Sequence, residues 1–355
     1  MRIFQLIQTL TPGDAISNNT LLLDRAFKSK GIDANVYAIS RGEGLETSAG
    51  LYEQLPKPDK NDIIIYHMCE KSVINTEIKT MNCKKIVIYH NTTPAEFLIQ
   101  YFSEEYQKQI DSINEIKGLK DTFDWCIAVS EFNKKDLIKL GYDENKISVI
   151  PIYLDFDEYR QQPDSRTADK FRHGKVNIVF VGRLTANKKQ EDIIKAFAYY
   201  KKYVNNNSRL ILAGTSPGGT YAKKLLSYVD TLDIDDVIFT WTLSFREILA
   251  IYSIADVFLC MSEHEGFCIP LVEAMMFDVP IIAYNSTAVP YTLNGAGVLI
   301  DNKDPELISN IINKTITDEN YKSNIIKSQQ KRLKDFESEV VLKQLIDVIK
   351  KVEAL

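Results

Sequence analysis

Short apolar runs alternate with amphipathic stretches along the whole chain, and the runs have the length and β-branched content of buried strands. In the first part they are RIFQLI from residue 2, NVYAI from 35, DIIIYH from 62, KKIVIYH from 84 and WCIAVS from 125. The first run leads into the turn Pro12-Gly13-Asp14. Asp14 is placed to cap a helix on which Ile16, Leu22, Leu23, Ala26 and Phe27 share one side. Helical patterns follow near 94–117 and 131–140. Continuous apolar strands separated by helices predict a parallel sheet covered on both faces.

The alternation breaks in the polar segment beginning KISVIP, which has two prolines beyond residue 150 and no clear period; it marks a boundary centred near 155–175. It restarts at VNIVFVG, with further strands at RLILAG, DVIFT, DVFLCM and VPIIAY, and residues 304–355 are almost entirely helical in pattern. The chain therefore reads as α/β, with two doubly wound, Rossmann-like domains in tandem: residues 1–160 and 161–335, followed by a last helix, 336–355. Ligands of open α/β sheets bind outside the carboxyl ends of the strands, so two such domains facing each other predict a central cleft.

Composition narrows the function classes. With 45% hydrophobic and 26% charged residues, the 355-residue chain has an ordinary globular mix. The net charge of −5 sits wholly in residues 1–160, so neither half is basic. Dedicated nucleic-acid binding is not expected, and membrane association has little support beyond a local patch. Cysteines at 69, 83, 126, 260 and 268 are odd in number and contain no C-x-x-C, so a disulfide framework or zinc cluster is not expected and a reducing compartment fits. Gln5 and Gln8 interrupt the N-terminal apolar stretch, which makes a poor signal peptide, and no apolar run approaches the ~18 residues of a membrane span. The expectation is a cytoplasmic protein without a transmembrane segment.

The richest segment for chemistry is DVFLCMSEHEGFCIPLVEAM. A strand ends near Met261, and a helix is expected from Ile269 with Pro270 in its first turn. Gly266 permits close approach to a ligand, and the helix start offers unpaired N–H groups and a positive dipole end suited to a diphosphate. Glu265 lies just before the helix and Glu273 about one turn into it, so the pair could reach hydroxyls either side of such a phosphate; the alternative is a capped turn with two surface glutamates. In NIVFVGRLTANKKQEDIIKAF, Arg183 and Lys188 follow the first strand of the second domain, where two cations suit a diphosphate leaving group, or merely form a solvated basic loop.

VGRLTANKK followed by an acidic-apolar helix, and then EHEGFCIPLVEAM with its two glutamates eight positions apart, resembles the retaining GT-B glycosyltransferases of group 1, the glycogen-synthase-like and mannosyltransferase-like enzymes. The likeness is strong over most of 175–300 and looser in the first half, through AVSEFNKKDLIKLGY and KISVIPIYLDF. It implies that Arg183 and Lys188 hold a donor diphosphate, and that Glu273 bonds the ribose. It implies that Glu265 contacts the transferred sugar, while the backbone of Gly266, Phe267, Cys268 and Ile269 meets sugar and phosphate. Two positions depart from the pattern: Lys189 and Cys268 stand where small residues, Gly above all, are frequent. The resemblance also implies that His90, after the strand KKIVIY, lies near donor sugar and phosphate; the alternative is a structural His. His67 is assigned a supporting role, His264 a place in the donor loop, and His173 an exposed position in the boundary segment. Gly13 and Asp14 occupy the place of a Gly-rich acceptor and phosphate loop, with one glycine remaining, and the last helix is expected to pack back on the first domain.

The resemblance implies a hexosyl transfer, with retention, from a UDP- or GDP-linked sugar to an acceptor hydroxyl in bacterial cell-surface glycan or polysaccharide synthesis. The acceptor (glycan, lipid-linked or protein) is open. The nucleotide sugar is a co-substrate; no further cofactor and no metal is expected, and the triplets Asp155-Phe156-Asp157 and Asp233-Ile234-Asp235 are read as chance matches. The rivals are a nucleotide-sugar epimerase on the same scaffold, which would change the sugar without acceptor, and a non-catalytic nucleotide-sugar-binding partner of a transferase, which would bind donor without turnover.

Overall fold

The computed structural model describes the chain except residues 98–102, 173 and 217–218 and the side chains of 103–105; His173 and part of the expected 94–117 helix thus lie outside the described residues. The chain divides into two compact units, Met1–Asp155 with Asp335–Leu355, and Phe156–Lys334.

Among the described residues the first unit holds a seven-stranded, all-parallel sheet. Its strands are β1 (Ile3–Leu10), β2 (Ala34–Arg41), β3 (Gly50–Leu51), β4 (Ile63–Met68), β5 (Lys84–Tyr89), β6 (Trp125–Ala128) and β7 (Ile147–Val149), in the order 3-2-1-4-5-6-7. The order reverses beside β1, the signature of a doubly wound sheet. Both faces are covered, as the unbroken apolar runs predict: Phe4, Leu6, Ile64, Tyr66, Val87 and Tyr89 pack on one side, while Ile3, Ile63, Ile65 and Ile88 are buried on the other. The helix Ala15–Ser29 starts where expected and buries Leu22, Leu23, Ala26 and Phe27. The C-terminal helix Ser338–Glu353 belongs to this unit. Its buried Val341, Leu342, Leu345, Val348, Ile349 and Val352 recur at three- and four-residue spacing, and Lys351 Nζ stands 3.5 Å from the ring centre of Trp125.

The second unit holds a six-stranded parallel sheet among the described residues. Its strands are β8 (Val176–Val181), β9 (Ser208–Ala213), β10 (Val237–Trp241), β11 (Val257–Cys260), β12 (Ile281–Tyr284) and β13 (Val298–Ile300), in the order 10-9-8-11-12-13. β3, β7 and β13 are two or three residues long, too short to register as apolar runs, and the segment read as aperiodic carries β7 and the helices Phe156–Tyr159 and Ser165–Phe171. No helix among the described residues is long and apolar enough to cross a membrane.

Candidate active site

In the second unit the carboxyl ends of β8 and β9 are held in backbone contact by glycine. Gly214 has φ 153°, and a Cβ there would lie 2.0 Å from the carbonyl oxygen of Gly182. That approach fixes the start of the loop carrying Arg183, whose guanidinium is exposed and forms no ion pair among the described residues. The loop runs through a short helical turn, Ala186–Lys188, into the helix Gln190–Tyr203.

Asn187 ties this loop to the one after β11. Its side-chain amide donates to the carbonyl of His264 (3.0 Å), and its own carbonyl accepts from the N–H of Glu263 (2.8 Å). The two loops are thereby registered so that Lys188 Nζ meets Glu265 Oε2 at 2.5 Å, with side chains 17% and 8% exposed. A buried pair of this kind is held by geometry and by charge balance, because removing one partner strands the other. Glu265 is further positioned by its backbone N–H, which donates to Thr287 Oγ1 (2.9 Å).

The helix Ile269–Met276 begins at the expected residue, with Pro270 in its first turn and no side chain capping it. Its N-terminus is thus an open positive dipole end beside Glu265 in sequence. Phe267 and Cys268 are buried. Cys268 adopts φ 72° and Lys189 φ 54°, both in the left-handed region where a glycine carries no Cβ penalty. The two positions at which the chain departs from the family pattern are therefore positions where its backbone favours glycine.

Glu273 lies one turn into that helix. Tyr159 donates to its Oε1 (2.9 Å) and Tyr252 to its Oε2 (2.7 Å). Burial raises the carboxyl above its usual range, and the two phenol hydrogen bonds oppose that shift. A carboxylate has about four acceptor positions, so two are left for a ligand diol. Neither tyrosine was legible as a site residue: Tyr159 is 114 positions from its partner. His264 is buried and contributes its carbonyl to the loop contact.

The same loop brings together Cys260, Glu265 and Cys268, whose ligand atoms lie within 4.8 Å of one another; reading the cysteines by spacing missed this cluster. The Cys268 thiol is held well above its usual range by its hydrogen bond with Cys260, by burial and by the charge of Glu265. In the two D-x-D triplets, Asp157 pairs with Arg160 (2.6 Å), Asp235 pairs with Lys201 (3.1 Å), and the backbone of Asp233 ends the helix Thr220–Leu232 in a left-handed conformation.

The first unit has a polar site of its own at the carboxyl ends of β4 and β5. Register explains its membership: Gln5 pairs with Ile65 and His67 with Ile88, so Gln5, His67 and His90 all lie on the same side of the sheet. Gln5 Oε1 contacts His67 Nε2 at 3.0 Å, and His67 Nδ1 contacts His90 Nε2 at 3.0 Å. With the glutamine oxygen facing His67, His67 donates from Nε2 and His90 donates from Nε2, an assignment made from the network. His90 Nδ1 is then a bare acceptor, and it is buried without a partner. Burial lowers His90 to about 4, partly offset by Asp14, and burial with the neighbouring imidazole lowers His67 well below its usual value. Both rings are neutral at physiological pH. The turn after His90 is braced by Asn91, which donates to Asn133 Oδ1 (2.6 Å) and adopts φ 76°.

Gly13 has φ 78° in the turn after β1. Asp14 caps the helix, one carboxylate oxygen accepting from the N–H groups of Ile16 (3.1 Å) and Ser17 (3.0 Å).

Two doubly wound parallel-sheet units with these loop constellations define the GT-B glycosyltransferase fold. Residues 161–332 match the model of the family described as glycosyl transferases group 1, as the motifs led one to expect. The whole chain resembles the crystal structure of Anabaena Alr3699/HepE in complex with UDP-glucose: TM-score 0.77 and 19% identity, over 99% of this chain and 100% of that one. In sequence it is 25% identical over 265 residues to an uncharacterised 41.2 kDa protein in the cps region of Klebsiella pneumoniae, covering 72% of this chain and 70% of that protein. It is 24% identical over 216 residues to a GDP-mannose-dependent alpha-(1-6)-phosphatidylinositol monomannoside mannosyltransferase of Mycobacterium tuberculosis, covering 57% of this chain and 55% of that enzyme. The match thus spans only a little over half the length of the mycobacterial relative.

Proposed function

We propose that the chain transfers a hexosyl-type sugar from a UDP- or GDP-linked donor to an acceptor hydroxyl, with retention of anomeric configuration, in the synthesis of a bacterial cell-surface glycan. The observation that carries this reading is the pairing of Lys188 with Glu265 beside an uncapped helix N-terminus: cation, carboxylate and dipole converge where a sugar diphosphate would be held. Arg183, Lys188 and the N-terminus of Ile269–Met276 stabilise the charge that develops on the departing diphosphate. Glu273, oriented by its two tyrosines, takes the ribose diol, and Glu265 takes hydroxyls of the transferred sugar. The backbone of Gly266, Phe267, Cys268 and Ile269 lines sugar and phosphate. In the first unit, His90 lies near the donor sugar and phosphate, and Gly13 with Asp14 forms part of an acceptor-side loop. No carboxylate is assigned as nucleophile; retention proceeds on the front face, with the leaving phosphate taking the acceptor proton.

The Anabaena protein is in complex with UDP-glucose and the mycobacterial enzyme is GDP-mannose-dependent by name, both nucleotide sugars of the expected type, and the latter's acceptor is a lipid-anchored glycan by name. A lipid-linked acceptor is accordingly the first to try. The test is a panel of nucleotide sugars screened for thermal stabilisation and for slow donor hydrolysis without acceptor. One donor is expected to do both and to yield free sugar of unchanged identity. A changed sugar would instead make the chain an epimerase, and binding without turnover across a broad acceptor panel would make it a non-catalytic binder.

A further inference from the structure

We propose that Cys260, Cys268 and Glu265 form a binding site for a thiophilic divalent cation of the zinc class. Cys260 ends β11, Cys268 stands immediately before the helix Ile269–Met276, and Glu265 lies on the loop between them. The two sulfurs and a carboxylate oxygen lie within 4.8 Å of one another, and the three residues are only 1%, 7% and 7% exposed. Zinc bonds of about 2.3 Å to sulfur and 2.0–2.2 Å to oxygen, in a tetrahedron, place such ligands roughly 3.5–3.8 Å apart, so a small contraction of the loop completes three corners. Water, or the Ser262 hydroxyl that accepts from Cys260 at 3.4 Å, is available for the fourth.

Charge favours the same occupant. Two thiolates and one carboxylate carry three negative charges; Lys188, 2.5 Å from Glu265 Oε2, supplies one positive, and a dication supplies the other two. A buried site that is neutral as a whole avoids the cost of stranded charge. The bond to Lys188 uses one of the carboxylate's acceptor positions and leaves the others open to the ion. On binding, the two S–H bonds break, two metal–sulfur bonds form, and two protons leave to solvent, with no change of oxidation state. Thiolate ligands select zinc or cadmium over magnesium or calcium.

The consequence for donor binding rests on the function proposed above, in which Glu265 contacts the transferred sugar: an ion at this site draws Glu265 away, so metal and donor compete. Ion binding itself does not depend on that function. Cadmium titrated into the full chain, without added thiol, is expected to give a thiolate-to-cadmium charge-transfer band that saturates at one ion per chain. Zinc should displace it, and excess magnesium should not. Cys260→Ala and Cys268→Ala should each weaken the ion at least tenfold. The wild-type chain, which needs no variant to fold, should release two protons per ion, read from the buffer dependence of the binding enthalpy. Absence of the band in the wild type, a band kept by both variants, or no proton release would overturn the site. If the ion binds as described but zinc leaves donor affinity unchanged, the site stands and the role of Glu265 in donor binding fails.

Discussion

The His90 and His67 rings stack, with centres 5.3 Å apart and planes inclined by 17°, and share a contact of 3.0 Å between Nε2 of His90 and Nδ1 of His67. One ring must donate and the other accept, so the two rings cannot both become imidazolium and keep this contact. In the unfolded chain an imidazole takes its proton near pH 6.5, whereas burial holds His90 to about 4. The unfolded state therefore binds more protons within this window. Stability from neutral His90 is full above pH 6.5 and is lost as pH falls towards 4, by about 3 kcal/mol for this ring alone. Urea unfolding of wild type and His90→Gln between pH 7 and 4 is expected to show a steeper loss in the wild type. Parallel curves would show that His90 does not titrate as its burial implies.

Tyr252 and Glu273 form a second relationship that sets a number. The phenol donates at 2.7 Å to a carboxylate that burial already makes harder to ionise. Tyr252→Phe removes the donor and keeps the ring, so it should cost about 1.5–3 kcal/mol of unfolding free energy. It should also raise the donor KM with a smaller change in kcat, because Glu273 is positioned by the bond. Denaturant titration and steady-state kinetics check the two parts separately.

Lys189 sits at φ 54° at the start of the helix Gln190–Tyr203, and its Nζ pairs with Glu263 at 3.2 Å. Lys189→Gly and Lys189→Ala lose that pair equally and differ in the Cβ. The glycine variant is expected to be the more stable by about 1 kcal/mol, because left-handed backbone penalises a Cβ by that order. Equal unfolding midpoints would mean that the backbone relaxes out of this conformation.

The sheets were legible because buried parallel strands are continuous apolar runs, and β1, β4, β5, β8 and β11 all fall where those runs lie. The helix starts at Asp14 and Ile269 were legible because capping and proline chemistry are local. What escaped depends on register and on distant partners. Gln5 joins the histidines only through its place opposite Ile65, and Asn187 and Tyr159 act on residues 77 and 114 positions away. The cysteine cluster has no spacing signature, since a strand end, a loop and a helix start must fold together to make it. The left-handed angles at Lys189 and Cys268 are backbone facts that neither residue type announces.

The grip of Lys188 on a sugar diphosphate is most directly tested by calorimetric donor titration of wild type and Lys188→Gln. Glutamine keeps a hydrogen-bond donor for Glu265 and removes the positive charge. With the nucleotide sugar that stabilises the wild type, the dissociation constant should rise roughly 10- to 100-fold, the loss of one charge-assisted contact of about 1.4–2.8 kcal/mol. Wild-type affinity in a folded Lys188→Gln chain would place the diphosphate elsewhere.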